Sequence, residues 1–130
     1  MGHWCEQYVG LPYVEGDRDC ASLTEQVQRE QFGRQLCLPT ARANNYRGWS
    51  RQIAQCRDDF VQQTDDPVDG DLVLMFGRGH LNHLGTLLII ESEFYVLHAQ
   101  RSAGQVCLHR LSRLEALTGL KVEGFYSWRR

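Results

Sequence analysis

The chain lacks several features that would place it in a class at once. No apolar run approaches the length of a membrane span, and the stretch 84–90 is too short to cross a bilayer. Lys and Arg number 14 against 16 Asp and Glu, so the net charge of −2 leaves no basic surface for nucleic acid. The N-terminus has no basic region followed by an apolar one, so we expect no secretory signal and synthesis in the cytoplasm. We therefore predict one globular domain over residues 1–130, with neither nucleic acid nor membrane as a partner.

Paired cysteines are also missing. The cysteines are odd in number, lie far apart and form no CxxC pair; they are Cys5, Cys20, Cys37, Cys56 and Cys107. Without a secretory signal, this pattern indicates reduced thiols and not a disulfide framework. No two of them have the spacing of zinc ligands, so a structural zinc site is not expected.

What the chain does have is a change of pattern near its middle. The first half favours helices, and the second half favours short apolar strands separated by turn residues. We predict helices over 3–9, 20–32, a segment capped by Asn44-Asn45 and 112–117, and strands over 60–63, 72–76, 82–90, 94–100, 106–110 and 121–128. Residues 34–43 and 77–80 are predicted to be irregular. This order indicates an α+β domain whose helices pack on one face of a meandering antiparallel sheet.

One loop and the helix behind it suggest chemistry. Glycine and proline break regular structure over 10–18, Asp19 stands at the N-cap position of the next helix, and Gly33 ends that helix. Cys20 is then the first helical residue. The positive end of a helix lowers the pKa of a thiol, which favours the nucleophilic thiolate. A nucleophile and a small buried apolar residue are equally compatible with this placement.

Two histidines are predicted to meet on one face of the sheet. Alternation along the strand puts His83 and Gly85 on the same face. If Glu91-Ser92 is a two-residue turn, His98 lies opposite Gly85 and is the diagonal neighbour of His83. Each ring alone is as compatible with a structural histidine as with a catalytic one, and His80 is expected to face solvent.

A metal site is the alternative use of these rings. Cys107 and His109 lie two residues apart on a predicted strand, so both point to one face. Together with His83 and His98 they would supply four metal-ligating side chains. The chain offers no ligand-spacing motif that favours this alternative over catalysis.

Four segments in order resemble the NlpC-type cell-wall cysteine peptidases, which are papain-like enzymes that cut amide bonds in the peptide stems of peptidoglycan. The matching segments are 10–13 with 19–23, 67–74, 83–85 and 96–99. The resemblance spans nearly the whole chain. The compact size and the ending 122–128 are similar to members encoded among bacteriophage tail genes.

The resemblance implies a role for each of five side chains. Cys20 matches the nucleophile, His83 the base, and His98 the polar residue that orients the base. Tyr13 matches a loop tyrosine whose hydroxyl lies near the nucleophile, and Asp19 matches the acid before it; both are expected to serve the oxyanion or the substrate. No metal or other cofactor is implied.

The implied function is hydrolysis of stem-peptide amide bonds, with peptidoglycan as substrate and other phage tail proteins as further partners. A virion tail, or delivery to the cell wall, is the implied location. One departure concerns Ala21-Ser22, which stands where the family usually has Ser-Gly. The alternatives are a tail structural or assembly protein that keeps the fold with little activity, an injected amidase-type toxin, and acyl transfer to an acceptor other than water.

Overall fold

The computed structural model of the chain describes residues 2–36 and 46–128. Within them the helices are α1 (Cys20–Phe32), α2 (Tyr46–Phe60) and α3 (Leu114–Thr118), with short 3-10 turns at Trp4–Gln7 and Leu111–Arg113. The strands are β1 (Val61–Thr64), β2 (Leu72–Gly77), β3 (His80–Ile90), β4 (Glu93–Gln100), β5 (Gln105–Arg110) and β6 (Lys121–Trp128). The predicted α+β class is confirmed. None of the described helices is long and apolar enough to span a membrane.

Helix α1 has the bounds and both caps that the sequence predicts. The Asp19 side chain accepts a hydrogen bond from the backbone N–H of Ser22 and so satisfies a donor of the first turn. Gly33 ends the helix in the left-handed conformation, at φ 69°, which glycine adopts without strain. Leu23 and Val27, one turn apart, are both 1% exposed and anchor the helix to the sheet.

Helix α2 packs on the sheet through a regular apolar stripe. The spacing of Trp49, Ile53 and Cys56 predicts that these side chains are buried, and each is less than 6% exposed. Two related predictions lie outside the described residues: the part of the irregular segment 34–43 that follows residue 36, and the cap at Asn44-Asn45. The stripe explains why α2 covers the same face of the sheet as α1.

The sheet has six antiparallel strands in the order β1-β6-β2-β3-β4-β5. Strands β2 to β5 form the predicted meander. The prediction is wrong for the last strand, because β6 returns across the sheet and pairs between β1 and β2. Local sequence patterns do not encode this long-range pairing, since β6 reads as an ordinary half-buried strand.

The two faces of the sheet are covered unequally. Both long helices pack on one face, as predicted. The third helix packs on the other, where Leu114 joins a cluster with Val73, Met75, Leu87 and Val96. The expectation that all helices share one face is therefore wrong for α3, which closes the second face with a single buried leucine.

Several boundaries differ from the predicted ones. Strand β3 begins at His80, because Arg78 and Gly79 alone form the turn, with φ 54° and 79°. Such a two-residue turn with both φ values positive suits the twist of a hairpin. Helix α3 begins at Leu114, after a 3-10 turn and two residues later than predicted, and Gly119 ends it.

Candidate active site

The loop before helix α1 is braced by the carboxylate of Asp19. One oxygen accepts from Ser22 N at 2.9 Å, and the other accepts from Gly16 N at 3.1 Å. The hydroxyl of Ser22 donates back to the Gly16 carbonyl at 3.1 Å. Asp19 is 2% exposed, so this buried carboxylate ties the loop to the first turn of the helix.

Cys20 opens helix α1, as predicted, and lies against the sheet. Its side chain is 3% exposed and belongs to an apolar cluster that includes Leu74 and Leu84. Cys5 and Cys56 are buried to a similar degree, so burial alone does not distinguish Cys20. What distinguishes it is its position, because it is the cysteine at the positive end of a capped helix.

Tyr13 is held beside the β4–β5 turn. Its backbone N–H donates to the Gly104 carbonyl at 2.9 Å, and Pro12 forms an isolated bridge with Gln105. The Tyr13 side chain is partly buried against the cluster that contains Leu97. The loop that leads to Cys20 is thus fastened to the edge of the sheet at strand β5.

The β3–β4 hairpin brings His83 and His98 together in the predicted way. Glu91 and Ser92 form a two-residue turn with φ values of 52° and 66°, and the register then places His98 opposite Gly85. Nε2 of His83 lies 2.8 Å from Nδ1 of His98, which is a hydrogen bond. A methyl group on Gly85 would stand 3.1 Å from the Cβ of His98, so the glycine keeps this space open.

A third imidazole continues the row. Nε2 of His98 lies 2.8 Å from Nδ1 of His109, on strand β5. We call His83, His98 and His109 the imidazole row. The sequence placed His109 only in the alternative metal site with Cys107. Among the described residues no group of His, Cys, Asp or Glu side chains has the geometry of a metal site. Both ring nitrogens of His98 form hydrogen bonds to neighbouring imidazoles.

The middle ring of the row is held neutral. His98 is 0% exposed, and burial lowers its pKa well below the ordinary value. The neighbouring imidazoles of His83 and His109 lower the pKa of His98 further. Burial also lowers the pKa of His109. A neutral imidazole carries one N–H, so His98 donates through one nitrogen and accepts through the other.

Helix α1 begins at the same end of the sheet as the imidazole row. Cys20 packs in one cluster with Leu84, the chain neighbour of His83. Further along the helix, Val27 packs in a second cluster with Leu88. The helix therefore runs along strand β3 away from His83, with its positive end near the start of the strand. The His83 side chain itself shares a face with its pairing partner Met75, and this is the face that α3 covers, whereas Cys20 and Leu84 lie on the face that α1 covers.

Strand β3 departs from regular alternation directly before His83. The register shifts by one residue, so that Asn82 is extra opposite the step from Met75 to Phe76, as in a β-bulge. The indole N–H of Trp49 donates to the Asn82 carbonyl at 2.7 Å and ties the bulge to helix α2. Bulges bend a strand and re-aim its side chains, and they recur next to active sites.

A scan against models of protein families and a search of curated proteins found no match for this chain. The site therefore has to be interpreted from its own residues. Sequence reasoning missed the place of His109 in the row. A signal was present, because His98 and His109 become diagonal neighbours once Gln100 pairs with Gln105, but the four-residue turn 101–104 leaves that register open in the sequence.

Proposed function

We propose that the protein is a papain-like cysteine peptidase or amidase of the NlpC type that hydrolyses amide bonds in peptidoglycan stem peptides. The observation that carries this proposal is the 2.8 Å hydrogen bond between His83 and His98, at the end of the sheet where Cys20 opens a capped helix. A helix-opening cysteine, a histidine base and a third group that orients the base are the components of thiol acyl transfer.

The reaction starts with proton transfer from the Cys20 thiol to His83. Since Nε2 of His83 is bonded to His98, the ring receives this proton at Nδ1. The thiolate attacks the carbonyl carbon of the stem peptide and forms a tetrahedral oxyanion. Its collapse breaks the C–N bond, the leaving amine takes the proton from His83, and a thioester remains. Water, deprotonated by His83, then hydrolyses the thioester and regenerates the thiol.

The oxyanion is stabilised by the start of helix α1. The backbone N–H of Cys20 lies in the first turn, where the helix dipole favours negative charge. Asp19 fixes the position of this N–H, because its carboxylate holds the loop against the first turn of the helix. The hydroxyl of Tyr13 is the proposed second donor, in a loop fastened to strand β5 by the Tyr13 backbone.

The substrate class follows from the resemblance of the motifs to the cell-wall peptidases. One departure from the family has a structural consequence here. Ala21 is 1% exposed and packs in the apolar cluster with Cys20, so a serine at this position would bury its hydroxyl in the core. A stem peptide is therefore held by residues other than position 21. We further propose that the protein acts from a bacteriophage tail or is delivered to the cell wall.

A second candidate is a tail assembly protein that keeps the fold with little chemistry. Two observations favour it. Cys20 is buried among Leu74, Leu84 and Trp49, which is the usual environment of a structural cysteine. The His83 side chain shares the opposite face of the sheet with its pairing partner Met75. This candidate leaves the imidazole row without a role, because assembly alone does not require three hydrogen-bonded imidazoles on neighbouring strands.

The test is incubation of the protein with purified peptidoglycan and identification of the released fragments by mass. We expect fragments with a new carboxylate and a new amine within the stem. Cys20→Ala is the matched control, since it removes only the sulfur atom and should release none. Absence of fragments with the unaltered protein, across peptidoglycans of different stem composition, would favour the assembly protein.

A further inference from the structure

His109 is placed to act on the reaction without touching the substrate. We propose that His109 is a positioning residue that fixes the proton arrangement of the imidazole row, so that His83 presents Nδ1 as an acceptor. This inference rests on the proposed function for its purpose, but the arrangement of protons is a property of the row itself.

The row has only two proton arrangements when its rings are neutral. The hydrogen bonds join Nε2 of His83 to Nδ1 of His98, and Nε2 of His98 to Nδ1 of His109. Each neutral ring carries one N–H, so each bond has one donor and one acceptor. Either every ring holds its proton on Nε2 and donates toward His109, or every ring holds it on Nδ1 and donates toward His83.

Only the first arrangement suits a base. A ring that already holds a proton on Nδ1 has no lone pair there for the thiol proton. His83 must therefore hold its proton on Nε2 and donate it to His98. His98 must then hold its own proton on Nε2, because its Nδ1 is the acceptor of that bond.

The acceptor for the His98 proton is Nδ1 of His109. His98 is 0% exposed, so its N–H finds no water in place of a lost protein partner. A buried N–H without a partner is costly, and a ring can avoid that cost by moving its proton to Nδ1. Loss of the His109 acceptor would thus move the His98 proton from Nε2 to Nδ1. His98 would then donate to Nε2 of His83, and His83 would hold its own proton on Nδ1.

Two substitutions separate this role from simple packing. His109→Asn keeps an oxygen acceptor at the place of Nδ1, and His109→Leu fills similar space with no acceptor. Cys107→Ser is the matched control, since Cys107 pairs with His98 across the strands but its thiol donates to the Gln105 carbonyl at 3.6 Å, outside the row.

The test is ¹⁵N NMR of the imidazole rings near pH 8, in a Cys20→Ala background so that no thiolate keeps His83 charged. We expect His83 and His98 to hold their protons on Nε2, with a coupling across the hydrogen bond from His98 to Nδ1 of His109. His109→Asn and Cys107→Ser should preserve the Nε2–H form of His83, and His109→Leu should shift it toward Nδ1–H.

With Cys20 restored, His109→Leu should slow alkylation of Cys20 near pH 6 by about tenfold, less than the roughly 10⁴-fold that a fully wrong tautomer costs a hydrolytic triad. His109→Asn should stay close to the unaltered protein. The inference is overturned if His83 holds its proton on Nδ1 before any change at His109, a measurement that needs no variant at that position. It is also overturned if His109→Leu changes neither the tautomer nor the alkylation rate.

The two proposals fail separately. If the protein releases fragments from peptidoglycan but His109→Leu leaves the His83 tautomer unchanged, the positioning role is rejected and the peptidase proposal stands. The expected tautomers together with no fragment release would keep the row and reject the peptidase.

Discussion

Two polar networks lie toward opposite edges of the sheet, and they differ in what holds their protons. Near strands β1 and β6, Arg57 donates to Glu123 at 3.0 Å, and Tyr126 donates to the same carboxylate at 2.5 Å. This network borders an open cleft of about 500 Å³. On strands β3 to β5, the imidazole row instead joins three side chains of the same chemical type.

The difference lies in proton affinity. Burial and the neighbouring Glu123 raise the pKa of Tyr126 to about 12. Burial lowers the pKa of Arg57, but its contacts with Glu123 and Tyr126 together outweigh this effect and raise it. These protons therefore stay in place at any physiological pH. In the row, each hydrogen bond joins two ring nitrogens, and either of the two can hold the proton. The charged network therefore keeps its protons fixed, whereas the imidazole row is suited to proton transfer.

The largest effect is expected at His83. His83→Asn should lower the rate of peptidoglycan hydrolysis by at least the roughly 10²–10⁴-fold that general acid–base catalysis contributes. His98→Asn should retain more activity, because an amide can still accept the hydrogen bond from His83. Initial rates of fragment release measure both, with circular dichroism as the folding control. Glu123→Gln, in the other network, should leave the rate unchanged, and a comparable loss there would remove the distinction between the networks.

The next effect is a loss of stability in acid that originates in the row. Unfolded His98 takes up a proton near the ordinary pKa of about 6.5, while folded His98 does so only well below it. The unfolded state therefore binds more protons in this window, and stability falls as the pH drops below about 6.5. One such proton changes the free energy of unfolding by up to about 1.4 kcal/mol per pH unit.

His109 contributes to the acid effect with the same sign, because its pKa is also lowered. Urea unfolding at pH 5 and pH 7 measures the total change. His98→Asn removes one buried base, so its stability should depend less steeply on pH. An unchanged slope in His98→Asn would mean that the row does not govern acid stability.

The smallest effect is expected in the charged network. Glu123→Gln keeps an oxygen that can accept from Tyr126 and removes only the charge opposite Arg57. The two side chains of the ion pair are 15% and 32% exposed, and partly exposed ion pairs contribute about 1 kcal/mol or less. Urea unfolding at pH 7 should show a loss of that size. A loss of several kcal/mol would show that this network, and not the apolar clusters, stabilises the β1–β6 edge.

Local signals in the sequence predicted much of the site. The Asp19 cap and the start of helix α1 follow from residues next to each other in the chain. The meeting of His83 and His98 follows from a two-residue turn and the period of a strand. Both inferences need only short-range geometry, which residue types determine directly.

Features that depend on distant pairing were not predictable in this way. The insertion of β6 between β1 and β2 joins residues that are 45 to 67 positions apart in the chain, and no local pattern specifies it. The place of His109 depends on a register set by a longer turn, where a shift of one residue would move the ring to the other face. The bulge at Asn82 also arises from pairing, since it exists only relative to strand β2.

The central claim is that Cys20 is a nucleophile activated by its helix and by His83. Alkylation by iodoacetamide near pH 6, followed by peptide mass mapping, tests it most directly. Burial raises the pKa of the thiols of Cys5 and Cys107, and that of Cys56 to about 11, so these three should stay protonated and unreactive at that pH.

We predict that Cys20 is modified first, and that His83→Asn slows its modification while Glu123→Gln does not. Uniform labelling, earlier labelling of the more exposed Cys107, or labelling of Cys20 that is unchanged in His83→Asn would contradict the account.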